Sequence, residues 1–263
     1  MNLTTLEERI DKVVSEDMSG NTPGMSLLLT KGRDVLIRKA YGLANLETRE
    51  KITCENQFVI ASNTKQFTCA AIMILKEQGL LDYDEPIERF FPDFPDYRKY
   101  VTIRDMMTHV SGIQEYFEEN KWLNIPDSAT ADTKRMLEII KGFGDLTFKP
   151  RTQYSYCNSS YVMLGNIVEQ LSGMSFGEFL KKNIFQPLGM EHTIAPDYMD
   201  VKGENLTEGY VKDADGNFVK QDYNMALVGY ADGNIQSTVD DLFIWHQYLY
   251  MSDSELIFFG RSF

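Results

Sequence analysis

The sequence is short of positive charge, of cysteine and of long apolar runs, and each shortage excludes something. Lys and Arg number 26 against 39 Asp and Glu, a net charge of −13. Binding nucleic acid needs a concentrated basic face, so no nucleic-acid partner is expected and the acidity reads as solubility. Cysteine occurs only at Cys54, Cys69 and Cys157, an odd number without Cys-x-x-Cys spacing. That argues against a disulfide framework and fits a reducing compartment. The histidines stand far apart and make no metal-ligand cluster; neither a metal nor a cofactor is expected. The longest apolar run, residues 69–75, is far too short to span a membrane. Residues 1–16 mix acids among apolar positions, with no basic stretch leading into an apolar one. No secretory signal is read there, and a cytoplasmic location is expected.

Internal repeats, low-complexity tracts and a dividing linker are also lacking. A chain of 263 residues that is 43% hydrophobic can bury a real core, so one domain is expected over residues 1–263. Leu3, Leu6, Ile10, Val13 and Val14 recur at helical spacing. Residues 25–30 and 35–41 flank a Lys31-Gly32-Arg33-Asp34 turn and read as a β-hairpin. Residues 42–53 are polar and read as a loop. An apolar helix starts near Ser62 and ends at Gly79, a C′ glycine. Thr102 and Asp105 make a capping-box pattern that opens a helix through Met107. Further helices are expected over 130–142, 161–171 and 175–183. Residues 211–220 read as a hairpin around Asp215-Gly216; Asp213 and Asp215 hint at a calcium loop there, but the remaining ligand spacing is missing. Ser237 with Asp240 is expected to cap a last helix to about Leu249. Strands gather in 1–60 and helices fill 61–250, an α+β arrangement.

Two short motifs carry chemistry. Ser62-Asn63-Thr64-Lys65 heads the apolar helix, and residues one helical turn apart share a face. A serine hydroxyl is a poor nucleophile until a neighbouring base takes its proton, and a partly buried lysine can serve as that base. The plain alternative is an N-cap serine with a surface lysine. Tyr156-Cys157-Asn158 is the second motif. A tyrosine beside an ammonium can act as general base or acid, and an asparagine two residues on can both donate to and accept from an amide or ester. On its own this is equally an ordinary aromatic turn.

Together the motifs resemble the serine beta-lactamase and penicillin-binding-protein superfamily, most nearly its class C beta-lactamase-like branch. The resemblance extends through Phe58 to Thr68, Leu80-Leu81-Asp82-Tyr83-Asp84-Glu85-Pro86, Thr102 to Ile113, Tyr161-Val162-Met163-Leu164-Gly165, Pro187-Leu188-Gly189-Met190 and Gly233 to Leu242. Matches in this order cover roughly residues 24–250, far more than a chance motif would. The resemblance implies a beta-lactamase/transpeptidase-like fold and a serine hydrolase that forms an acyl-enzyme on a small-molecule or peptide substrate. It implies Ser62 as nucleophile, Lys65 as its assistant, Tyr156 as general base or acid, and Asn158 as the residue that orients substrate. The backbone N–H of Ser62 would give half of an oxyanion hole. Cys157, at an odd offset, is expected to point away as a small buried hydrophobe, and His109 to lie in a structural loop.

One departure stands out. The superfamily's third motif, a Lys/His-x-Gly strand near the C-terminus, has no counterpart in residues 251–263. The sequence therefore reads as a C-terminally shortened member that lacks the last strands and closing helix. Weak stability, association or weak activity is the expectation, with an inactive or binding-only member as the alternative. The Ser-Asp-Asn motif of class A enzymes and their deacylating Glu are absent too, which leaves esterase, peptidase and beta-lactamase all open.

Overall fold

The structure is a computed structural model that describes residues 3–18, 20–116, 133–196, 203–220 and 230–251. The chain opens on helix α1, Leu3–Asp17. Its polar face meets the sheet: Lys39 Nζ donates to Asp11 and pairs with Glu7, and Tyr41 Oη donates to Asp11. Strands β1, Met25–Lys31, and β2, Asp34–Tyr41, form the expected antiparallel hairpin, with a bulge between Leu29 and Thr30. The loop expected over 42–53 instead holds a second small hairpin, β3 Leu43–Asn45 and β4 Glu50–Lys51. Strands this short show no periodicity, and the turn is closed locally by Asn45 Oδ1, which accepts from the N–H groups of Glu47 and Thr48.

The helical body is built around two buried helices. Helix α2, Thr64–Glu77, buries Phe67, Ala71, Ile72 and Leu75 completely. A helix that is apolar over most of its circumference belongs inside a body rather than on it. It follows strand β5, Phe58–Val59, and ends before Gly79 in left-handed conformation. Helix α3, Ile103–Met107, has the expected capping box, with Thr102 and Asp105 bonding each other's backbone N–H. Helix α4 is Thr133–Gly142; the expected start at 130 lies outside the described residues. Helix α5, Asn158–Ser172, packs against α2 and ends at Gly173. Helix α6, Phe176–Leu180, starts at a Ser175/Glu178 capping box and continues through a π-helical turn into α7, Gln186–Leu188.

Strands β6, Tyr210–Lys212, and β7, Phe218–Lys220, form the expected hairpin. Asp213 Oδ1 there accepts from the N–H groups of Asp215 and Asn217, which makes the acidic cluster a turn. Among the described residues no group of His, Cys, Asp and Glu could hold a metal. Strand β8, Gln236–Ser237, pairs antiparallel with β5 and so lays residues 230–237 beside the start of α2. Helix α8, Val239–Met251, follows. Its cap is Thr238 rather than Ser237: Thr238 Oγ1 accepts from Asp241 N–H at 3.2 Å, while Ser237 Oγ lies in the strand, 2.8 Å from Thr193 Oγ1. Trp245 of α8 stacks on Phe67 with ring centroids 4.4 Å apart. The atypical tail falls outside the described residues from 252 on. Small sheets beside a helical body make this an α+β fold. Among the described residues no helix is long and apolar enough to cross a membrane.

Candidate active site

Ser62 is not the N-cap of α2. It sits in a 3-10 turn, Ala61–Asn63, just ahead of the helix, with no side-chain capping bond there. Ala61 holds φ +46°, a left-handed conformation that costs a non-glycine residue about 1–2 kcal/mol. The β5–β8 pairing holds the bend, through Ile60 N–H donating to Ile235 O at 2.9 Å. The hydroxyl of Ser62 is thereby left exposed and turned toward two side chains.

Lys65 is one of them. It lies in the first turn of α2 and is 6% exposed. Its Nζ donates to Ser62 Oγ at 3.1 Å, Asn158 Oδ1 at 2.7 Å and the carbonyl of Asp232 at 2.7 Å. Three oxygens match the three donors of an ammonium. The same Nζ lies 4.9 Å from the ring centroid of Tyr156.

Tyr156 is the other, its Oη donating to Ser62 Oγ at 2.6 Å. Its ring stacks on His109. His109 Nδ1 accepts the backbone N–H of Cys157 at 3.1 Å, a bond that places the proton of a neutral imidazole on Nε2. Burial, and then the charge of Lys65, hold the His109 imidazole below its usual range. Cys157 points inward as expected. It caps α5, Sγ accepting from Ser160 N–H, and burial pushes its thiol up to about 11.

Helix α5 begins three residues earlier than its apolar spacing indicates, so Asn158 occupies its first turn. The Asn158 amide is held from both ends. Oδ1 faces Lys65, while Nδ2, at 3.2 Å, and the backbone N–H both donate to Glu115 Oε2. The next residue, Tyr116, donates through Oη to Asp232 Oδ2 at 2.6 Å and through its N–H to Ser159 Oγ at 2.9 Å. Asp232 is buried, and that burial raises its carboxyl even though Tyr116 and Tyr230 N–H donate to it. Gly112 bends this loop at φ +75°, and a Cβ there would sit 2.1 Å from Phe148 O, so only glycine fits.

All four residues singled out in the sequence thus come together at Ser62. Sequence reasoning missed Glu115, Tyr116 and Asp232. They lie just outside the stretches that carried the resemblance, one of which stops at Ile113 and another of which starts at Gly233, and no spacing rule links residues 115–116 to 158 or 232. A cavity of about 710 Å³ lies between α6, α7 and residues 190–196, lined by Lys181, Phe185, Met190 and Ile194 among others. None of the four residues lines it, so this cavity is separate from the cluster at Ser62.

Comparison with known proteins identifies the family. The chain is similar to Penicillin-binding protein 4* of Bacillus subtilis, 32% identical over 247 residues, 87% of this chain and 52% of that protein. It is similar to the D-aminopeptidase of Brucella anthropi, 28% identical over 228 residues, 86% of this chain and 42% of that one. The chain therefore spans about half the length of these relatives. The solved octameric penicillin-binding protein homologue from Pyrococcus abyssi superposes with a TM-score of 0.77 at 30% identity, covering 95% of this chain and 56% of its own. The sequence pattern of the family described as Beta-lactamase matches residues 10–256. With nearly its whole length matched, the chain belongs to the beta-lactamase family.

Proposed function

We propose that this chain is a serine hydrolase that works through an acyl-enzyme on an ester, amide or β-lactam carbonyl. One observation carries the reading: Ser62 Oγ lies 3.1 Å from Lys65 Nζ and 2.6 Å from Tyr156 Oη. Hydroxyl, amine and phenol within hydrogen-bond reach are the parts of an activated nucleophile.

The steps follow from those positions. With Tyr156 as the phenolate, its own proton having passed to solvent, Ser62 Oγ attacks the carbonyl carbon as the serine proton passes to the Tyr156 oxygen. The Lys65 charge stabilises the phenolate before this step and the developing charge around Ser62 Oγ during it. The N–H of Ser62, at the head of α2, donates to the carbonyl oxygen. Tyr156 then returns the proton to the leaving oxygen or nitrogen as its bond to carbon breaks, and Ser62 is acylated. Water attacks the acyl carbon with Tyr156 again taking the proton, and Tyr156 then returns it to Ser62 Oγ as the Oγ–carbon bond breaks, which frees the acid and restores Ser62. Asn158, with Oδ1 held by Lys65, orients the substrate amide. The Tyr-x-Asn pattern favours the class C-like branch. Relatives named as a penicillin-binding protein and a D-aminopeptidase support β-lactams and D-amino peptides as the first substrates to try. Free cysteines at 54, 69 and 157 support a reducing, cytoplasmic setting.

The test is covalent labelling. The protein is incubated separately with a fluorophosphonate and a fluorescent penicillin, then digested and weighed by mass spectrometry. The reading expects a mass increment on the peptide that holds Ser62, lost in Ser62→Ala. A folded sample that neither reagent labels rules the reading out.

A further inference from the structure

The geometry points to Glu115 as a positioning residue for the nucleophile: it fixes which way the Asn158 amide faces and so aims Oδ1 at Lys65. This rests on the hydrolase reading. A side-chain amide can turn over, exchanging its oxygen and NH2 ends. Only the orientation with Oδ1 toward Lys65 gives Nζ an acceptor; the other points NH2 donors at an amine. A carboxylate accepts and does not donate. Placed on the far side of Asn158, it pairs only with the Nδ2 end, at 3.2 Å, and leaves Oδ1 for Lys65 at 2.7 Å. The same oxygen, Glu115 Oε2, also takes the backbone N–H of Asn158, which ties the carboxylate to the first turn of α5.

Glu115 is itself held from both sides. The preceding residue, Gln114, accepts Ser159 Oγ at its carbonyl at 2.7 Å, and the following residue, Tyr116, donates its N–H to the same Oγ at 2.9 Å. Ser159 is fully buried. The loop is thus stitched to α5 on either side of the carboxylate. Lys65 has two acceptors besides Ser62, and both are governed from this dipeptide. Glu115 orients Asn158, and Tyr116 bonds the side chain of Asp232, whose carbonyl is the other.

The test is the fluorophosphonate labelling rate of Ser62 in the full chain, for wild type, Glu115→Ala, Glu115→Gln, Asn158→Ala and the double variant Glu115→Ala/Asn158→Ala. In Glu115→Ala the amide is free to turn over, and the rate is expected to fall about tenfold or more, as for a misplaced catalytic group. Glu115→Gln retains an acceptor oxygen and is expected to recover most of that loss. In the Asn158→Ala background the Glu115→Ala change is expected to alter the rate by less than about twofold, because a residue that acts through another has no effect once that other is gone. Additive losses in the double variant overturn the inference. So does equal labelling of Glu115→Ala and wild type. A wild type that does not label at Ser62 overturns the hydrolase reading as well, so the two failures are told apart. Circular dichroism of each variant separates a lost fold from a lost orientation, and if Glu115→Ala unfolds, Glu115→Met, which keeps the length of the side chain without an acceptor oxygen, takes its place in the same comparison.

Discussion

The imidazole of His109 lies against the ring of Tyr156, centroids 4.6 Å apart and planes 27° from parallel. It also caps the N–H of the next residue, Cys157, so one side chain holds both the ring and the backbone of the tyrosine. His109 itself has φ +59°, a left-handed conformation that asparagine adopts more readily than most residues.

Substituting His109→Asn keeps the backbone and puts Oδ1 where Nδ1 accepted Cys157 N–H, but removes the stacked ring. The expected loss of stability is about 1 kcal/mol. The pH dependence gives a second readout. Burial and Lys65 lower the folded-state value of His109 below the ordinary value near 6.5. The unfolded chain therefore binds the proton first as pH falls. This histidine's contribution is present above about pH 6.5 and is lost as pH drops from there through its lowered folded-state value. Thermal melts between pH 7.5 and 5 should fall less steeply for His109→Asn than for wild type. Parallel curves would remove His109 as the source.

Tyr156→Phe removes only the oxygen that contacts Ser62. The side chain is 43% exposed, so stability should hardly change, while the acylation rate should fall about 10²–10⁴-fold, the usual worth of a general acid or base. Stopped-flow acylation of the two proteins, alongside their melts, checks both halves. A rate within about threefold of wild type would hand the proton transfer to Lys65 alone.

Arg151 and Asp105 tie the segment before Tyr156 to α3. Arg151 Nε and Nη2 each donate to the carboxylate at 2.8 Å, and Asp105 is 2% exposed. Burial raises the carboxyl of Asp105, but Arg151 and Thr102 together hold it below its ordinary value. Its stabilising share is therefore present above about pH 4 and is lost as pH falls through the lowered folded-state value. Arg151→Met leaves the carboxylate with Thr102 alone, and urea unfolding at pH 7 should show a loss of about 1–3 kcal/mol. No change would mean that water replaces the guanidinium.

How much of this was legible in the sequence depends on range. Periodicity and capping chemistry located α1, the β1–β2 hairpin, α2, the α3 capping box and the α6 start, because those signals lie within a few residues of what they specify. The same locality explains the errors. Ser62 read as a possible N-cap, but the β5–β8 pairing, which joins residues 58–59 to 236–237, bends the chain one turn too early for that. Ser237 read as the last cap, but its hydroxyl is taken by Thr193, 44 residues away. The acceptors of Lys65 other than Ser62 come from residues 158 and 232; resemblance to a family marked Asn158, and no spacing joins Asp232 to it.

Gly165 offers the sharpest check on how those acceptors are placed. It lies inside α5, where glycine is a poor helix former, and in an open helix Gly→Ala is worth up to about 1 kcal/mol of stability. Here a Cβ would sit 2.3 Å from Ala231 Cβ and 2.6 Å from Tyr230 Cε1. Neither atom is the free end of a flexible chain, so the segment 230–232 must move. Its carbonyl at Asp232 receives Lys65 Nζ at 2.7 Å, and a shift of a few tenths of an ångström there loosens the lysine. Gly165→Ala should cost about 1–3 kcal/mol by overpacking and should also slow acylation. Gly142→Ala, at the end of α4 with nothing within 4 Å, supplies the control and should be neutral or slightly stabilising. If both glycines behave alike in melts and in acylation, the close approach of α5 to residues 230–231 is not what seats Lys65.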